Sequence, residues 1–389
     1  MLKAQLVASI AVALLMAAAP AGAQSPPERT STRAHDTRAI EFPATAAGDR
    51  VLAVDTHTHT LFSDGLVWPT IRLWEAEQDH LAAYALTDHL EARPHKGDVL
   101  GDDRNRPYAI ATAEAARIKS RVQPINGAEI TRELPWGHFN VLFVTDVNAI
   151  PVGDLKSDPR PALRAARGQG AVIIWNHPWA YPGLDRGAGD PMPAGHRALL
   201  ADGLMDAVEI ANSAQYSSEA FDMALKHGLA VVGASDVHGL IDSDLQIPEG
   251  QHRTTTLVLA PDTSIAAIRD AVLRKRTAAL FRQALYGRER ELSEIVGGAL
   301  RIAGRRRVES FLTRDVVELE VRNDASIPFH LRFDPAAIPL TASRLAVVPA
   351  RGKLVIQVAN VSDLDAFTVK AEVLNAFVEP GRNLALTLR

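Results

Sequence analysis

The sequence predicts an α/β protein with a parallel sheet covered by helices, followed by a small all-β sandwich. Two patterns support this prediction. From Val51 onward, short apolar runs alternate with longer helical stretches, and after about Glu291 apolar and polar residues alternate with period two. Parallel neighbours need a crossover between them, which is usually a helix, so strand–helix alternation is typical of parallel sheets. The number of predicted strands approaches that of a (β/α) barrel.

The elements of the first part follow one another in regular order. Apolar runs of strand length occupy residues 51–54, 82–87, 124–129, 139–144, 171–175, 207–210, 230–233 and 255–259. Helical stretches occupy residues 68–78, 108–120, 161–168, 217–227 and 264–276. Short runs that are apolar throughout are typical of strands buried on both faces of a sheet. We therefore predict a barrel domain over residues 51–290.

The C-terminal part has a different pattern. Apolar and charged or polar residues alternate over residues 317–322, 369–373 and 384–388. Alternation with period two and without intervening helices indicates antiparallel strands with one buried face. We predict a β-sandwich over residues 291–389, acting as a stabilising cap or lid.

The N-terminus has the pattern of a secretory signal peptide. Lys3 precedes an apolar run over residues 6–19, and Ala21-Gly22-Ala23 fits a small-x-small cleavage site. A membrane anchor is the alternative, but this run is shorter than the roughly 20 residues that span a bilayer. We expect residues 1–23 to be cleaved, residues 24–50 to form a linker, and the mature protein to be periplasmic or secreted without membrane association.

Composition restricts the partners and the kind of metal site. The net charge is −4 and the pI is about 6.4, so nothing indicates the basic surface that nucleic acid binding requires. The chain has no cysteine. Any metal site must therefore use histidine and carboxylate ligands, which suit Mn, Zn or Fe. The oligomeric state is left open.

Ligand-type side chains follow nearly every predicted strand. They are His57, His59, His89, Glu129, His177, Asp236 and His238, while His138 precedes its strand. Residues i and i+2 of an extended chain point to the same side, so His57 and His59 can bind one ion together. Because functional groups of parallel α/β folds gather at the strand carboxyl ends, we expect one cluster there. Glu209, at the end of another strand, is either a partner that orients a ligand histidine or a structural carboxylate.

Taken together, these motifs resemble the polymerase-and-histidinol-phosphatase (PHP) family. The matching segments are Asp55-Thr-His57-Thr-His59, Ser63-Asp64-Gly65, Thr87-Asp88-His89, Gly127-Ala-Glu129-Ile130, Gly137-His138-Phe-Asn140, Asn176-His177-Pro178 and Ser235-Asp236-Val-His238-Gly239, in the family's order. The resemblance implies a distorted (β/α)7 barrel and a site for two or three divalent metal ions.

The resemblance also implies how the ligands are shared. The first ion would be held by His57, His59, Glu129 and Asp236. The second would be held by Asp64, His89 and His238, although some family members have a histidine near the position of Asp64. The third would be held by Glu129, His138 and His177.

Further segments resemble an exported branch of the family that has a β-rich C-terminal domain. They are Asp88-His89-Leu90-Glu91, Arg93-Pro94-His95-Lys96, Asp103-Arg104-Asn105-Arg106 and His238-Gly239-Leu240-Ile241. That branch includes phosphodiesterases that act on organophosphate diesters, and it is related to carbaryl hydrolase. The resemblance implies a phosphodiesterase that converts organophosphate diesters to monoesters by means of a metal-bridging hydroxide.

Catalytic and substrate-binding roles can be assigned as hypotheses. Asp236, a candidate proton shuttle, and His238 are predicted to be catalytic residues as well as ligands. The loop 91–106 directly follows ligand His89 and is rich in cations, which suit a phosphate anion. The predicted substrate-binding residues are Arg93, His95, Lys96, His252 and Arg253. The alternative for the loop is a solvated segment whose cations pair with its own aspartates.

Other functions remain open at this stage. A carbamate or ester hydrolase would use the same metal site on a carbonyl carbon, and it would not need the cationic loop. A phosphomonoesterase is a second alternative. A non-enzymatic metal or sugar-phosphate binding protein is a third, although a cluster of this size with room for water is usually catalytic.

Overall fold

The computed structural model describes residues 38–99, 101–180, 190–248, 250–308, 316–334, 344–359, 364 and 367–389. The predicted signal peptide, residues 1–23, and residues 24–37 of the predicted linker lie outside the described residues. No helix in the described part of the chain is long and apolar enough to cross a membrane.

The strands are β1 (Arg50–Asp55), β2 (Ala83–Leu86), β3 (Gln123–Ile130), β4 (Phe139–Leu142), β5 (Val172–Trp175), β6 (Ala207–Asn212), β7 (Gln215–Tyr216), β8 (Ala230–Ala234), β9 (Thr255–Ala260), β10 (Thr277–Phe281), β11 (Ala284–Gly287), β12 (Leu300–Val308), β13 (Val316–Asn323), β14 (Phe329–Phe333), β15 (Leu345–Val348), β16 (Lys353–Ala359), β17 (Val369–Glu379) and β18 (Arg382–Leu388). The helices are α1 (Pro69–Gln78), α2 (Arg106–Ile118), α3 (Arg160–Gly168), α4 (Ala194–Ala201), α5 (Ser218–Lys226), α6 (Ile241–Asp244), α7 (Ile265–Leu273) and α8 (Glu289–Ala299). Every strand and helix predicted between residues 51 and 276 is present.

The central sheet is mixed. β1, β2 and β3 are parallel neighbours, and so are β5, β6 and β8. β4 pairs antiparallel with β3 and β5, and β9 pairs antiparallel with β1. The predicted parallel pairing is thus found within these two groups of strands, whereas β4 and β9 pair antiparallel. At β4 the physical reason is the connection: only residues 131–138 separate it from β3, too few for a helical crossover. The number of (β/α) units stays a prediction.

The described part of the predicted linker packs against the barrel instead of extending from it. Ala39 and Ile40 are buried, and the Ile40 amide donates a hydrogen bond to the Asp79 carbonyl at 2.9 Å. Arg38 forms an ion pair with the Asp79 carboxylate at 2.8 Å. A composition rich in Pro, Ser, Thr, Arg and Ala without periodicity indicated a linker, but Ala39 and Ile40 belong to the core. Residues 38–49 are thus part of the folded protein.

The C-terminal strands form two layers, one of which continues the barrel sheet. β12, β13 and β16 make a three-stranded antiparallel sheet. β17 pairs with β18 and β14, and it also pairs in parallel with β11 of the barrel. Tyr286 on β11 stacks on Phe377 on β17 with ring centroids 5.0 Å apart. The β-rich part is thus joined to the barrel by backbone hydrogen bonds between β11 and β17. The described residues from Arg38 onward form one compact unit. The predicted boundary at residue 290 stays a prediction.

Buried His196 on α4 is expected to make the free energy of unfolding depend on pH. Its Nε2 lies 2.7 Å from the Trp136 carbonyl oxygen and its ring stacks on Trp175 with centroids 3.9 Å apart. Burial lowers the pKa of His196 to about 4. Since an unfolded histidine titrates near about 6.5, the unfolded chain binds more protons between these values. The stabilisation from neutral His196 is therefore complete above about pH 6.5 and is lost as the pH falls towards 4.

We expect His196→Gln to reveal this loss. The difference in unfolding free energy between the wild type and the variant should narrow by roughly 2–3 kcal/mol between about pH 7.5 and about pH 4.5, because the variant has no proton to gain. Urea unfolding at the two pH values measures it. His330→Gln, at an exposed histidine of β14, is the control and should show no such narrowing. Parallel stability curves for the wild type and His196→Gln would contradict the prediction.

Candidate metal centre

The predicted ligands converge at the carboxyl ends of the barrel strands. His57 and His59 follow β1, His89 follows β2, Glu129 lies near the end of β3, His177 follows β5, and Asp236 and His238 follow β8. Isolated β-bridges join Thr58 to Val237 and His89 to Glu129, so the loops beyond the strands are fixed to one another. The nine predicted ligands make up four overlapping groups with ligand atoms within 4.8 Å of one another.

The first group combines His57, His59 and Asp236. Their ligand atoms are close: His57 Nε2 lies 3.0 Å from His59 Nε2, and Asp236 Oδ1 lies 3.2 and 3.1 Å from the same two nitrogens. Glu129 Oε2 lies 3.4 Å from His57 Nε2 and 3.5 Å from His59 Nε2. These are the four residues that the PHP resemblance assigns to one ion.

The second group combines His59, Asp64, His89 and His238. Asp64 Oδ2 lies 3.3 Å from His89 Nε2 and 3.4 Å from His238 Nε2. The turn that carries Asp64 is possible because Gly65 has no side chain: a Cβ there would lie 2.6 Å from the Thr60 backbone nitrogen. Asp64 and His238 are also the most exposed ligands, at 35% and 36%. Solvent therefore reaches the cluster on this side.

The third set surrounds Glu129. His138 Nδ1 donates to Glu129 Oε1 at 3.0 Å, and His177 Nε2 lies 3.6 Å from that oxygen. His89 Nδ1 lies 2.9 Å from Glu129 Oε2. The buried carboxylate of Glu129 therefore lies near histidines of all three sets. His138 precedes its strand in sequence, but it reaches the cluster because β4 runs antiparallel to β3.

The electrostatics of the cluster favour bound cations. Burial opposes ionisation of Glu129, but His89, His57 and His138 hold its pKa well below the usual range. The pKa values of Asp64 and Asp236 are likewise lowered by neighbouring histidines despite burial. The neighbouring histidines thus favour the negatively charged form of all three carboxylates.

The histidines respond in opposite directions. Burial lowers the pKa of His59 to about 3. The hydrogen bond with Asp236 opposes this shift, and the charge of His89 adds to it. Burial opposes protonation of His89, but Glu129 and Asp64 raise its pKa to about 10. Carboxylates raise the pKa of His57 in the same way. Since imidazole binds metals only when neutral, metal ions must displace protons from His57 and His89.

The donor set fits divalent transition metals. Asp64 Oδ1, Glu129 Oε2 and Asp236 Oδ1 are buried oxygens that accept no hydrogen bond within the described residues. Buried polar atoms normally have partners, and such exceptions need an explanation, which a bound ion supplies. Imidazole nitrogens and carboxylate oxygens without thiolates suit Mn, Zn or Fe.

Glu209 on β6 contacts His57 and His177 of the cluster directly and is linked to Asp236 through Asn212. Its Oε1 accepts a hydrogen bond from His57 Nδ1 at 2.8 Å, and its Oε2 accepts from the His177 amide at 2.9 Å. Asn212 Nδ2 bridges Glu209 Oε2 at 2.9 Å and Asp236 Oδ2 at 3.2 Å. With Nδ1–H donated to Glu209, the Nε2 lone pair of His57 points into the cluster. Of its two predicted roles, the contacts favour the partner that orients a histidine.

Two ligands have backbone conformations that most residues avoid. Asp236 has φ 51° and His177 has φ 26°, both in the left-handed range. Non-glycine residues in this range store strain, which persists only where the surrounding structure imposes it. At Asp236 the backbone is held by hydrogen bonds on either side, from its own amide to the His57 carbonyl and from the His59 amide to the Val237 carbonyl.

The predicted cationic loop lies beside the cluster, and its cations differ in exposure and in partners. Arg93 is almost buried and donates from Nε to the Phe62 carbonyl at 3.1 Å. Lys96 is 59% exposed and pairs with Asp102 at 3.1 Å, and His95 is half-buried in the same turn. The Lys96–Asp102 pair agrees with the alternative of a solvated loop. Arg93 and Arg104 line a small cavity of about 10 Å³ together with ligand His89.

Lys96→Ala distinguishes the two interpretations of this loop. If Lys96 binds anionic substrates, the variant should raise KM by about tenfold, because a charge-assisted hydrogen bond is worth about 1.5–3 kcal/mol. Steady-state kinetics on an aryl phosphodiester measures it, with Lys156→Ala, at another exposed lysine, as the control. Unchanged KM would leave Lys96 as the partner of Asp102 alone.

His252 and Arg253 precede β9, and both side chains make tertiary contacts. Arg253 is 2% exposed, and its guanidinium is held by Asp55 at 3.0 Å and by Asp79. The ring nitrogens of His252 lie 3.0 Å from the Arg38 carbonyl and 3.2 Å from the Ser326 carbonyl. Both side chains make these tertiary contacts, while Nη2 of Arg253 is a buried nitrogen without a hydrogen-bond partner within the described residues. A substrate-binding role for His252 and Arg253 stays a prediction.

The comparisons with known proteins agree with this geometry. An Ig-like domain family matches residues 309–389. A crystal structure from Bacteroides vulgatus, described as a two-domain protein containing a predicted PHP-like metal-dependent phosphoesterase, is 34% identical to the chain. The match covers 90% of this chain and 98% of that one, with a TM-score of 0.77. The chain belongs to the PHP-like metal-dependent phosphoesterases. The predicted resemblance to the PHP family is thereby confirmed.

Other similar structures are more distant from this PHP-like protein. One from Bifidobacterium adolescentis, described as a candidate metal-dependent phosphoesterase, is 18% identical with a TM-score of 0.37, covering 60% of this chain and 98% of its own. An amidohydrolase from Chromobacterium violaceum is 18% identical with a TM-score of 0.33, covering 48% and 87%. No curated protein matches the chain. The exported branch and the relation to carbaryl hydrolase stay predictions.

Proposed function

We propose that this PHP-like protein is a metal-dependent phosphodiesterase that hydrolyses organophosphate diesters to monoesters. One observation carries the proposal: four groups of histidines and carboxylates overlap, two of them through Glu129, around buried oxygens that accept no hydrogen bond within the described residues. Groups that overlap in this way can hold ions close together, which is the arrangement suited to phosphoryl transfer. The family's name supports the phosphoester as the substrate.

The residues would divide the work as follows. His57, His59, Glu129 and Asp236 would hold a first ion, Asp64, His89 and His238 a second, and Glu129, His138 and His177 a third. When bound, divalent ions of Mn, Zn or Fe supply Lewis acidity and lower the pKa of water towards neutrality.

The chain itself would position the substrate and move a proton. Substrate would approach from the side of Asp64 and His238, where the ligand side chains are exposed. Asp236, whose Oδ1 lies 3.2 Å from His57 Nε2 and 3.1 Å from His59 Nε2, would act as the predicted proton shuttle. His238 is held through Nδ1, 2.9 Å from the Asp236 carbonyl, and its position at the solvent edge suits a proton exchange with water. Arg93 and Lys96, on the loop that follows His89, are predicted anion contacts.

Steady-state kinetics on three chromogenic substrates tests the proposal. The Mn-loaded protein would be assayed at equal concentrations of an aryl phosphodiester, the matching monoester and an aryl carbamate. We expect the diester to be cleaved fastest. Preference for the monoester would replace the diesterase by a phosphomonoesterase, and preference for the carbamate would replace it by a carbamate hydrolase. No turnover of any substrate by protein of verified metal content would favour a binding protein.

We also propose that the protein is exported and acts on small-molecule phosphoesters without nucleic acid or membrane partners. The signal-like pattern of residues 1–23 and the net charge of −4 support this proposal. N-terminal sequencing of protein recovered from the periplasm or medium tests it. A mature chain that starts at Gln24 is expected, and an intact Met1 in the cytoplasmic fraction would contradict it.

A further inference from the structure

Arg72 on helix α1 is a buried cation next to the metal centre, and none of the roles described above involves it. It is 1% exposed, and it lies on the face of α1 that packs against the barrel. A buried guanidinium needs several partners, because leaving its donors unpaired carries a large desolvation penalty. The identity of these partners indicates what Arg72 does.

Three of the partners are backbone carbonyls of the two ligand loops. Arg72 Nε donates to the His59 carbonyl at 2.8 Å, and Nη2 donates to the carbonyls of Val237 and His238 at 3.1 and 2.7 Å. His59 and His238 are both predicted ligands, and they belong to loops that are far apart in sequence. One rigid guanidinium therefore fixes the spacing between the β1 loop and the β8 loop.

The fourth partner extends this arrangement to the next segment. Arg72 Nη1 pairs with Glu75 Oε2 at 2.7 Å, and Glu75 Oε1 accepts the Ile241 amide at 2.8 Å. Glu75 neutralises the charge of Arg72 and also holds the start of α6, just after His238. The Arg72–Glu75 pair therefore links α1 to Val237 before His238 and to Ile241 after it.

We propose that Arg72 is a positioning residue for the metal centre, and that it aligns His238 with Asp64 and His89 so that the second group can bind its ion. Lysine cannot replace it, because an ammonium lacks the planar fork that reaches Nε and Nη partners at once. The inference rests on the metal centre of the proposed function but not on its substrate, so metal binding tests it independently of hydrolysis.

The test compares Arg72→Lys and Arg72→Met with a matched control. Arg288 also donates to two backbone carbonyls, those of Ala224 and Leu229, but these lie at the end of α5 and before β8, away from the ligands. Arg288→Lys and Arg288→Met therefore report the general effect of losing such contacts. Metal content after dialysis against a metal buffer, Mn²⁺ affinity and Tm are measured for each variant.

We expect Arg72→Lys to lose one bound ion per chain, with affinity at that site lower by about tenfold to a hundredfold, the range for residues that orient ligands. The Arg288 variants should keep full metal content even where their Tm falls as far. Wild-type metal content and affinity in Arg72→Lys would overturn the proposal. Equal loss of metal in the Arg288 variants would also overturn it, because the effect would then follow stability alone.

If Arg72→Met does not fold, a substitution of its partner Glu75 provides a second test. Glu75→Gln keeps the size of the side chain and its bond to Ile241 but removes the charge that holds Arg72. It should lower the same affinity in the same direction by a smaller factor. An unchanged affinity in both Glu75→Gln and Arg72→Lys would show that Arg72 serves only the packing of α1. Failure of hydrolysis with normal metal binding would instead count against the proposed function.

Discussion

Glu129→Gln is expected to remove metal binding and phosphoester hydrolysis together. Glu129 is buried, and its two oxygens lie between three sets of histidines. The amide keeps the size of the side chain but offers one neutral oxygen and one NH₂ group, which cannot bind a metal ion. Residues that merely orient ligands change metal affinity or activity by about tenfold to a hundredfold, so loss of a shared ligand should exceed a hundredfold in both.

Metal content by elemental analysis and kcat/KM on the best substrate measure this effect. Glu133→Gln is the matched control, since Glu133 lies on the same segment but its side chain is 53% exposed. It should retain both properties. If Glu129→Gln kept a full complement of metal and a rate near that of the wild type, the carboxylate would not be a ligand, and the assignment of the centre would fail.

Glu209→Gln is expected to have the second largest effect among these substitutions. Glu209 is fully buried, and it fixes His57, the His177 amide and, through Asn212, Asp236. The neutral amide gives His57 a weaker acceptor, and it can turn its NH₂ group towards the ring or the amide. His57 would then lose its preferred tautomer and orientation. We expect Mn²⁺ affinity to fall by about tenfold to a hundredfold.

Isothermal titration of the metal-free protein with Mn²⁺ measures the fall, and the circular dichroism spectrum verifies folding. Asp206→Asn is a useful control, because Asp206 is a carboxylate immediately before the same strand, where it accepts the Ile173 amide and pairs with Arg167. Equal losses in both variants would show that Glu209 contributes only to the stability of β6.

The C-terminal part of the chain is joined to the barrel sheet, and its predicted role is that of a stabilising cap or lid. All of the predicted metal ligands precede residue 239, and β17 extends the barrel sheet through β11. The match of residues 309–389 to an Ig-like domain family agrees with the predicted sandwich. The sheet continuity supports the predicted role as a stabilising cap, since unfolding of β17 would expose an edge of the barrel sheet.

The sequence by itself predicted the succession of barrel strands along the chain and the side chains that gather at their carboxyl ends. Apolar runs of strand length identify β1, β2 and β5 because strands buried on both faces need them, whatever their neighbours are. His57-x-His59 and Asp236-x-His238 are readable as ligands because neighbouring residues in extended chain share a direction with period two. These patterns lie within short segments, so they can be recognised without knowledge of the fold.

Only the tertiary structure decided which charged residues support the centre and which support the core. Arg72 occupies a helix position that gives no sign of binding carbonyls of two distant loops, and Arg253 precedes β9 as a substrate contact would, yet it pairs with Asp55 and Asp79. The antiparallel direction of β9 and the packing of residues 38–49 were equally invisible. In each case the partner lies far away along the chain, and the free energy of a buried charge or strand pair depends on that partner, which no local pattern encodes.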